Sequence, residues 1–226
     1  MAQELPVPIR IRLGTVNITP RTKELMAQAL DTGMIGQGPQ VAEFECGLAQ
    51  WFGVKHVMAT ANGTTADAAA LAAVKEIDRR RRGRARTEVI VPALTFIAQV
   101  NAVRYNHLTP VFVDVGADYQ IDVVKIPEKI TGDTLAIMPT HLLGKPAAMR
   151  AITALARAHN LFVIEDACEA LGSAYFGAKA GTIGDVGCFS FYVSHSITTG
   201  EGGAAVTNDD EIAELIRSKR SHGRKS

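Results

Sequence analysis

The chain has 226 residues, 47% hydrophobic and 21% charged, which is ordinary globular composition and enough for one domain with a full core. A formal net charge of +1 excludes a global field that would draw the chain to nucleic acid or membrane. Three cysteines without paired spacing (Cys46, Cys168 and Cys188, each read as a small buried apolar residue) exclude a disulfide scaffold, no apolar run reaches the length of a membrane span, and Met1–Leu13 has no signal-peptide core, so the expected compartment is the cytoplasm.

In chain order, helices are predicted at Thr22–Thr32 and Gln40–Phe52, then a strand at His56–Thr60 and a helix at Thr65–Arg80. The Arg79–Arg86 run, RRRRGRAR, admits polyphosphate or nucleic-acid docking, but cations at a helix C-terminus are better read as a solvated end. A strand at Glu88–Val91, a helix at Ile97–Tyr105, and strands at Pro110–Val115 and Leu135–Pro139 follow. The helix at Ala147–His159 places Met149, Ile152, Leu155 and Ala156 on one side. Strands at Leu161–Glu165, Val186–Phe191 and Ala204–Thr207 and a helix at Asp210–His222 complete the series, beyond which no closing element follows; a fragment, or completion by a partner segment, is expected. Continuous apolar runs such as VFVDV, LAIMP and LFVIE are expected of strands covered on both faces. Strand–helix alternation predicts an α/β domain with a largely parallel sheet, whose ligands bind at the carboxyl ends of the strands.

Four segments carry chemistry. ANGTTA (Ala61–Ala66) follows a strand and opens a helix: Gly63 allows a tight turn, the first helical amides are free, and Thr64 and Thr65 add hydroxyls, which suits a phosphate as well as it suits a Thr-capped helix. VPALTF (Val91–Phe96) puts Phe96 near the carboxyl edge, where it either stacks on a flat ring or joins the core. VIEDACEALGS (Val163–Ser173) ends a strand in two carboxylates, Glu165 and Asp166; a buried carboxylate needs a partner, and a protonated pyridine nitrogen, a metal ion or a helix N-terminus would each serve. GTIGDVGCFSFYVSHSITTGEGG (Gly181–Gly203) joins two strands through a dense polar loop, with Ser190 and Ser194 available to a phosphate, His195 as acid or base, and Glu201-Gly202-Gly203 allowing close approach to a ligand. No metal spacing is present; His56, His107, His141, His159 and His222 read as structural or surface residues.

In this order, together with GMIGQGPQVAEFE (Gly33–Glu45), PVFVDV, HLLGKP (His141–Pro146) and the KRSHGR run at Lys219–Arg224, the segments resemble the DegT/StrS family of sugar aminotransferases over essentially the whole chain. The resemblance implies the fold type I architecture of pyridoxal-phosphate enzymes: a three-layer α/β/α domain on a mixed, mostly parallel seven-stranded sheet. Residues 1–226 would be the large cofactor-binding domain, without the smaller C-terminal domain. It implies pyridoxal phosphate or pyridoxamine phosphate as cofactor, with Gly63, Thr64, Thr65 and Ser190 at the phosphate, Phe96 on the ring and Asp166 at the ring nitrogen. Glu169 stands where the family usually has a glutamine near the ring hydroxyl. The family's Schiff-base lysine falls on His195. Imidazole forms no such adduct but moves protons near neutral pH. That change resembles the family's 3-dehydrase branch, in which pyridoxamine phosphate condenses with a nucleotide-linked 4-keto-6-deoxyhexose, a histidine takes a proton from the cofactor methylene and the carbon-3 hydroxyl leaves. Expected partners are a nucleotide-sugar substrate, a second copy in a homodimer when full length, and a reductase if deoxygenation is completed; neither nucleic acid nor membrane is expected. The alternatives are a transaminase served by another lysine (Lys145 or Lys179), a truncated non-catalytic or regulatory relative, and, last because no G-x-G-x-x-G follows the first strand, a plain Rossmann nucleotide binder.

Overall fold

The computed structural model describes residues 16–224; the reading of Met1–Leu13 falls outside them. Helices α1 (Pro20–Asp31) and α2 (Pro39–Phe52) precede strand β1 (His56–Thr60) and the long helix α3 (Gly63–Arg82). Then come β2 (Glu88–Pro92), α4 (Ile97–Tyr105), β3 (Thr109–Val113), β4 (Thr134–Ile137), α5 (Met149–His159) and β5 (Phe162–Asp166). A small hairpin, β6 (Ala174–Tyr175) with β7 (Ala178–Lys179), leads to β8 (Val186–Ser190), β9 (Gly203–Thr207) and α6 (Asp210–Arg220).

Seven strands form one sheet in the order β1-β9-β8-β5-β4-β2-β3. The pairs β3–β2, β2–β4, β4–β5 and β5–β8 are parallel. β9 is antiparallel to both β8 and β1, so the sheet is mixed. The pleat turns successive residues to opposite faces. Met58, Val89, Val91, Ile164, Val186, Cys188 and Ala205 pack against α3, α4 and α6. On the other face Ile90, Ile137 and Val163 meet α5, while Val57, Phe189, Ala204 and Val206 meet α2. The result is the three-layer α/β/α arrangement expected.

Differences from the sequence reading are local. α3 begins two residues early because Asn62 caps it: its side chain accepts the Thr65 amide (2.9 Å) while the Thr65 hydroxyl accepts the Asn62 amide (3.1 Å). β3 stops at Val113, and Val115 keeps only an isolated bridge to Ile121. The β6–β7 hairpin was not expected; its strands have two residues each, too few for periodicity to register. Positive φ at Phe176 (48°) and Gly177 (85°) makes its tight turn. Of the cysteines only Cys188 is fully buried. Cys46 is exposed and Cys168 half-buried, because α2 shows that face to solvent and Cys168 borders a cavity.

The Arg79–Arg86 run is engaged by carboxylates of its own chain. Arg79 and Arg80 pair with Glu76, Arg80 and Arg81 with Glu211, Arg84 with Asp133, and Arg82 and Arg86 with Asp78. Among the described residues no helix is long and apolar enough to cross a membrane.

Candidate active site

The sheet's carboxyl edge opens into a cavity of about 470 Å³. Its wall comes from three places distant in sequence: the β1–α3 turn (Asn62, Gly63, Thr64, Asp67), the end of β5 and the turn after it (Asp166, Cys168, Glu169), and β8 with the β8–β9 loop (Ser190, Tyr192, Ser194, His195, Glu201). Phe96, the residue preceding α4, stands at its side, as does Thr140, whose hydroxyl meets that of Thr95 at 2.8 Å. Thus Gly63, Thr64, Phe96, Asp166, Glu169, Ser190 and His195 border one space. Thr65 does not. Its hydroxyl donates to the Asn62 carbonyl (2.8 Å) within the cap, and the residue borders a separate cavity of about 800 Å³ lined by Ile35, Val41, Ala68, Ala72, Lys219 and others. That second space is larger but poor in chemistry: Arg220, its other basic residue, is held by Glu45 and the Ala59 carbonyl.

At the start of α3, the cap engages the Thr65 amide, so the amides of Gly63 and Thr64 lie at the open end of the helix. Gly63 is required by space. A Cβ there would sit 2.8 Å from both the Cys168 sulfur and the Ser190 Cβ. Gly203 is explained differently from the sequence reading, since a Cβ on it would meet the Asn62 carbonyl carbon and oxygen at 2.3 Å. The close approach it permits is to the chain's own backbone beneath the helix start.

Glu165 and Asp166 are adjacent in sequence but opposite in role. Ile164 and Asp166 face the α3 layer; Val163 and Glu165 face away. Glu165 is fully buried and its carboxylate accepts four hydrogen bonds: from Gly181 N (2.9 Å), Ile183 N (2.6 Å), Gly184 N (2.6 Å) and His141 Nε2 (2.8 Å). His141 Nδ1 accepts the Ala147 amide (3.1 Å), which places the ring proton on Nε2. This pair locks the turn before β8 and faces no ligand space. Asp166, by contrast, lines the cavity. Burial pushes its carboxyl up, against the Cys168 thiol and backbone amide (3.2 Å), which pull it down.

Phe96 is 69% exposed, so it is not a core side chain. Glu169 is oriented by the turn at Leu142–Gly144: its carboxylate accepts the Leu143 amide at 2.6 Å, and Leu143 adopts a left-handed φ of 56° to present it. The β8–β9 loop is braced by its own threonines. Thr198 Oγ1 donates to the Phe191 carbonyl (2.9 Å) and Thr199 Oγ1 to that of Glu201 (2.7 Å). His195 rides on this loop, half-buried, with its amide on the Tyr192 carbonyl (3.0 Å).

Among the described residues the cavity wall holds four carboxyl side chains, Asp67, Asp166, Glu169 and Glu201, and no lysine or arginine. Lys145 is ion-paired to Asp118 (3.0 Å), and Lys179 lies over the Trp51 ring at 4.2 Å; neither borders the cavity. Sequence reasoning missed Asp67. Its signal was an acid in phase with the buried stripe of α3, beside Ala66, Ala70, Leu71 and Val74.

Residues 16–226 match the DegT/DnrJ/EryC1/StrS aminotransferase family. The chain belongs to that family. A GDP-perosamine synthase from Caulobacter vibrioides is 42% identical over 216 residues, 95% of this chain and 56% of that one. A dTDP-4-dehydro-2,6-dideoxy-D-glucose 3-dehydratase from Saccharopolyspora spinosa is 38% identical over 84% of this chain and 42% of its own length. Among solved structures, an E. coli GDP-4-keto-6-deoxy-D-mannose-3-dehydratase with bound hydrated PLP superposes with a TM-score of 0.88 at 30% identity, covering 95% of this chain and 55% of that one. The chain spans about half the length of the curated relatives it matches.

The cavity fits such a cofactor. A buried acid could pair with a cationic ring nitrogen, an exposed aromatic at the side could stack on a flat ring, and the helix opened by a glycine that tolerates no Cβ could accept an anion.

Proposed function

We propose that the protein is a vitamin-B6-dependent enzyme acting on nucleotide-linked 4-keto-6-deoxyhexoses, and that it removes the carbon-3 hydroxyl rather than exchanging an amino group. The observation that carries this reading is the cavity wall: an imidazole, His195, and no lysine among the described residues. Bound pyridoxamine phosphate supplies an amine for the 4-keto group and an electron sink for the charge left by proton loss. The chain's residues do the rest. The amides of Gly63 and Thr64 with the Ser190 hydroxyl hold the phosphate, Phe96 covers the ring, Asp166 keeps the ring nitrogen protonated, and Glu169 addresses the ring hydroxyl. His195 moves the proton at its imidazole nitrogen. The resemblance to a PLP-bound 3-dehydratase over 95% of this chain supports the same reading. We place the enzyme in the cytoplasm, as a homodimer when full length, with its product passed to a reductase.

Transamination is the second reading, favoured by the family's aminotransferase membership. One experiment separates the two. Pyridoxal phosphate, then pyridoxamine phosphate, is added to the purified chain and to His195→Lys, and absorbance is followed before and after borohydride. The parent should hold pyridoxamine phosphate without a reducible adduct, and the lysine variant should gain one with pyridoxal phosphate. With a 4-keto sugar, loss of the carbon-3 oxygen supports dehydration; turnover by amino exchange alone sinks it.

A further inference from the structure

Asp67 has no place in the reading above, yet it lines the same cavity. It sits one turn into α3, is 1% exposed, and its Oδ1 has no hydrogen-bond partner among the described residues. An unpartnered buried carboxyl oxygen beside a ligand space calls for an explanation, because burying such a group without a partner is costly.

The register supplies one. Asp166 on β5 lies opposite Cys188 on β8, both facing α3, and Asp67, buried on that helix, lines the same cavity as Asp166. The titratable groups around Asp67 are therefore Asp166 and Cys168 from the end of β5 and Cys188 from β8; His141 and Glu169 are the next neighbours, acting on Asp166. Both thiols are pushed well up by burial and stay neutral. Two carboxyls buried in one cavity wall without a cation do not both ionise, so the pair carries one proton. The Cys168 amide stabilises charge on Asp166, which leaves the proton to Asp67. Burial, and then the charge of Asp166, push the Asp67 carboxyl well above the ordinary aspartate range. A neutral Asp67 also suits the anion end of the site, since the Gly63 and Thr64 amides lie on the same turn of α3, where a carboxylate would oppose a phosphate.

We propose that Asp67 is a positioning residue of the cofactor seat: it holds the proton that Asp166 does not, and donates it to Asp166 so that the other carboxylate oxygen faces the protonated ring nitrogen. The inference rests on the cofactor reading and deepens it.

The test uses pyridoxamine phosphate binding across pH for the whole chain, for Asp67→Asn, which keeps a neutral donor, and for Asp67→Leu, which does not. Asp67→Leu should bind about tenfold more weakly at neutral pH, the loss expected of a hydrogen bond to a charged group. Asp67→Asn should bind like the parent there. As pH rises, the parent should lose affinity when Asp67 ionises, while Asp67→Asn holds its affinity through that window. A second readout needs no cofactor. The folded chain keeps a proton that unfolded Asp67 releases above about pH 4, so parent stability falls as pH rises until the folded group ionises. That fall should be shallower in Asp67→Asn.

Asp67→Leu binding like the parent at every pH, or Asp67→Asn retaining the parent's alkaline loss, overturns the inference. A parent that binds neither pyridoxal nor pyridoxamine phosphate overturns the cofactor reading beneath it, a different result from a parent that binds while its variants match it.

Discussion

Asp67 and Asp78 lie on one helix, both buried and in phase three turns apart, and they have opposite fates. Asp78, at the far end of the sheet, is saturated: Arg86 donates from its backbone (2.8 Å), Nε (3.1 Å) and Nη2 (2.8 Å), and Arg82 from Nε (3.0 Å). Burial alone would raise its carboxyl, but the Arg86 hydrogen bonds and the two guanidinium charges bring it below the usual value. Asp67, at the cavity, faces another acid and no cation among the groups that act on it, so its carboxyl is pushed up. A buried charge that the protein has satisfied is architecture; one left wanting is an invitation to a ligand.

Substitutions at the two ends should respond accordingly. Arg86→Ala removes the buried guanidinium and two of the four hydrogen bonds to Asp78, leaving it Arg82 and the backbone amide, and should cost about 3 kcal/mol in urea unfolding. The Asp78 contribution is present above the usual carboxylate range and lost as pH falls through its lowered value, so the variant's deficit should shrink in acid. Asp67→Asn should do the reverse, raising cofactor-free stability at pH 7 by about 1–3 kcal/mol by removing the need to hold an ionisable group dry. Equal losses at both positions would dissolve the contrast. Phe96→Ala should leave the melting temperature unchanged, because the ring is exposed, while weakening pyridoxamine phosphate binding by about 0.5–1.5 kcal/mol in titration. Arg84→Ala removes an ion pair 2.7 Å long but 70% exposed on the arginine side, and should change unfolding by no more than about 0.5 kcal/mol.

Much of this was legible before any coordinates. The seven sheet strands and six helices sit within a few residues of their expected positions because apolar runs and helical periodicity report burial directly. The cavity's membership was legible too: Gly63, Thr64, Phe96, Asp166, Ser190 and His195 lie at or just beyond the ends of strands, and Glu169 followed from the family resemblance. What escaped depends on phase and partner. Thr64 and Thr65 look alike in the sequence, but one position around the helix sends the first to the cavity and the second into the cap. Glu165 and Asp166 look like a pair until the pleat separates them, and the amides that satisfy Glu165 come from Gly181–Gly184, which composition does not connect to it. Asp67 was hidden by its neighbours: an acid in an alanine-rich helix reads as surface until the opposing strand is seen to carry Asp166.

The antiparallel strand β9 has one further consequence. Among the described residues β1 is an edge strand, and β9 is its one neighbour in the sheet. Even the residue before it, Lys55, reaches across 153 positions to bond the Asn208 side chain. The turn that begins α3 therefore hangs from a strand whose mate lies far along the chain, His56 pairing with Thr207 and Thr60 with Gly203. A ribosome delivering the protein releases β1 long before β9, so until residue 207 emerges β1 lacks the strand that holds it, and the turn that opens α3 gains its support only then.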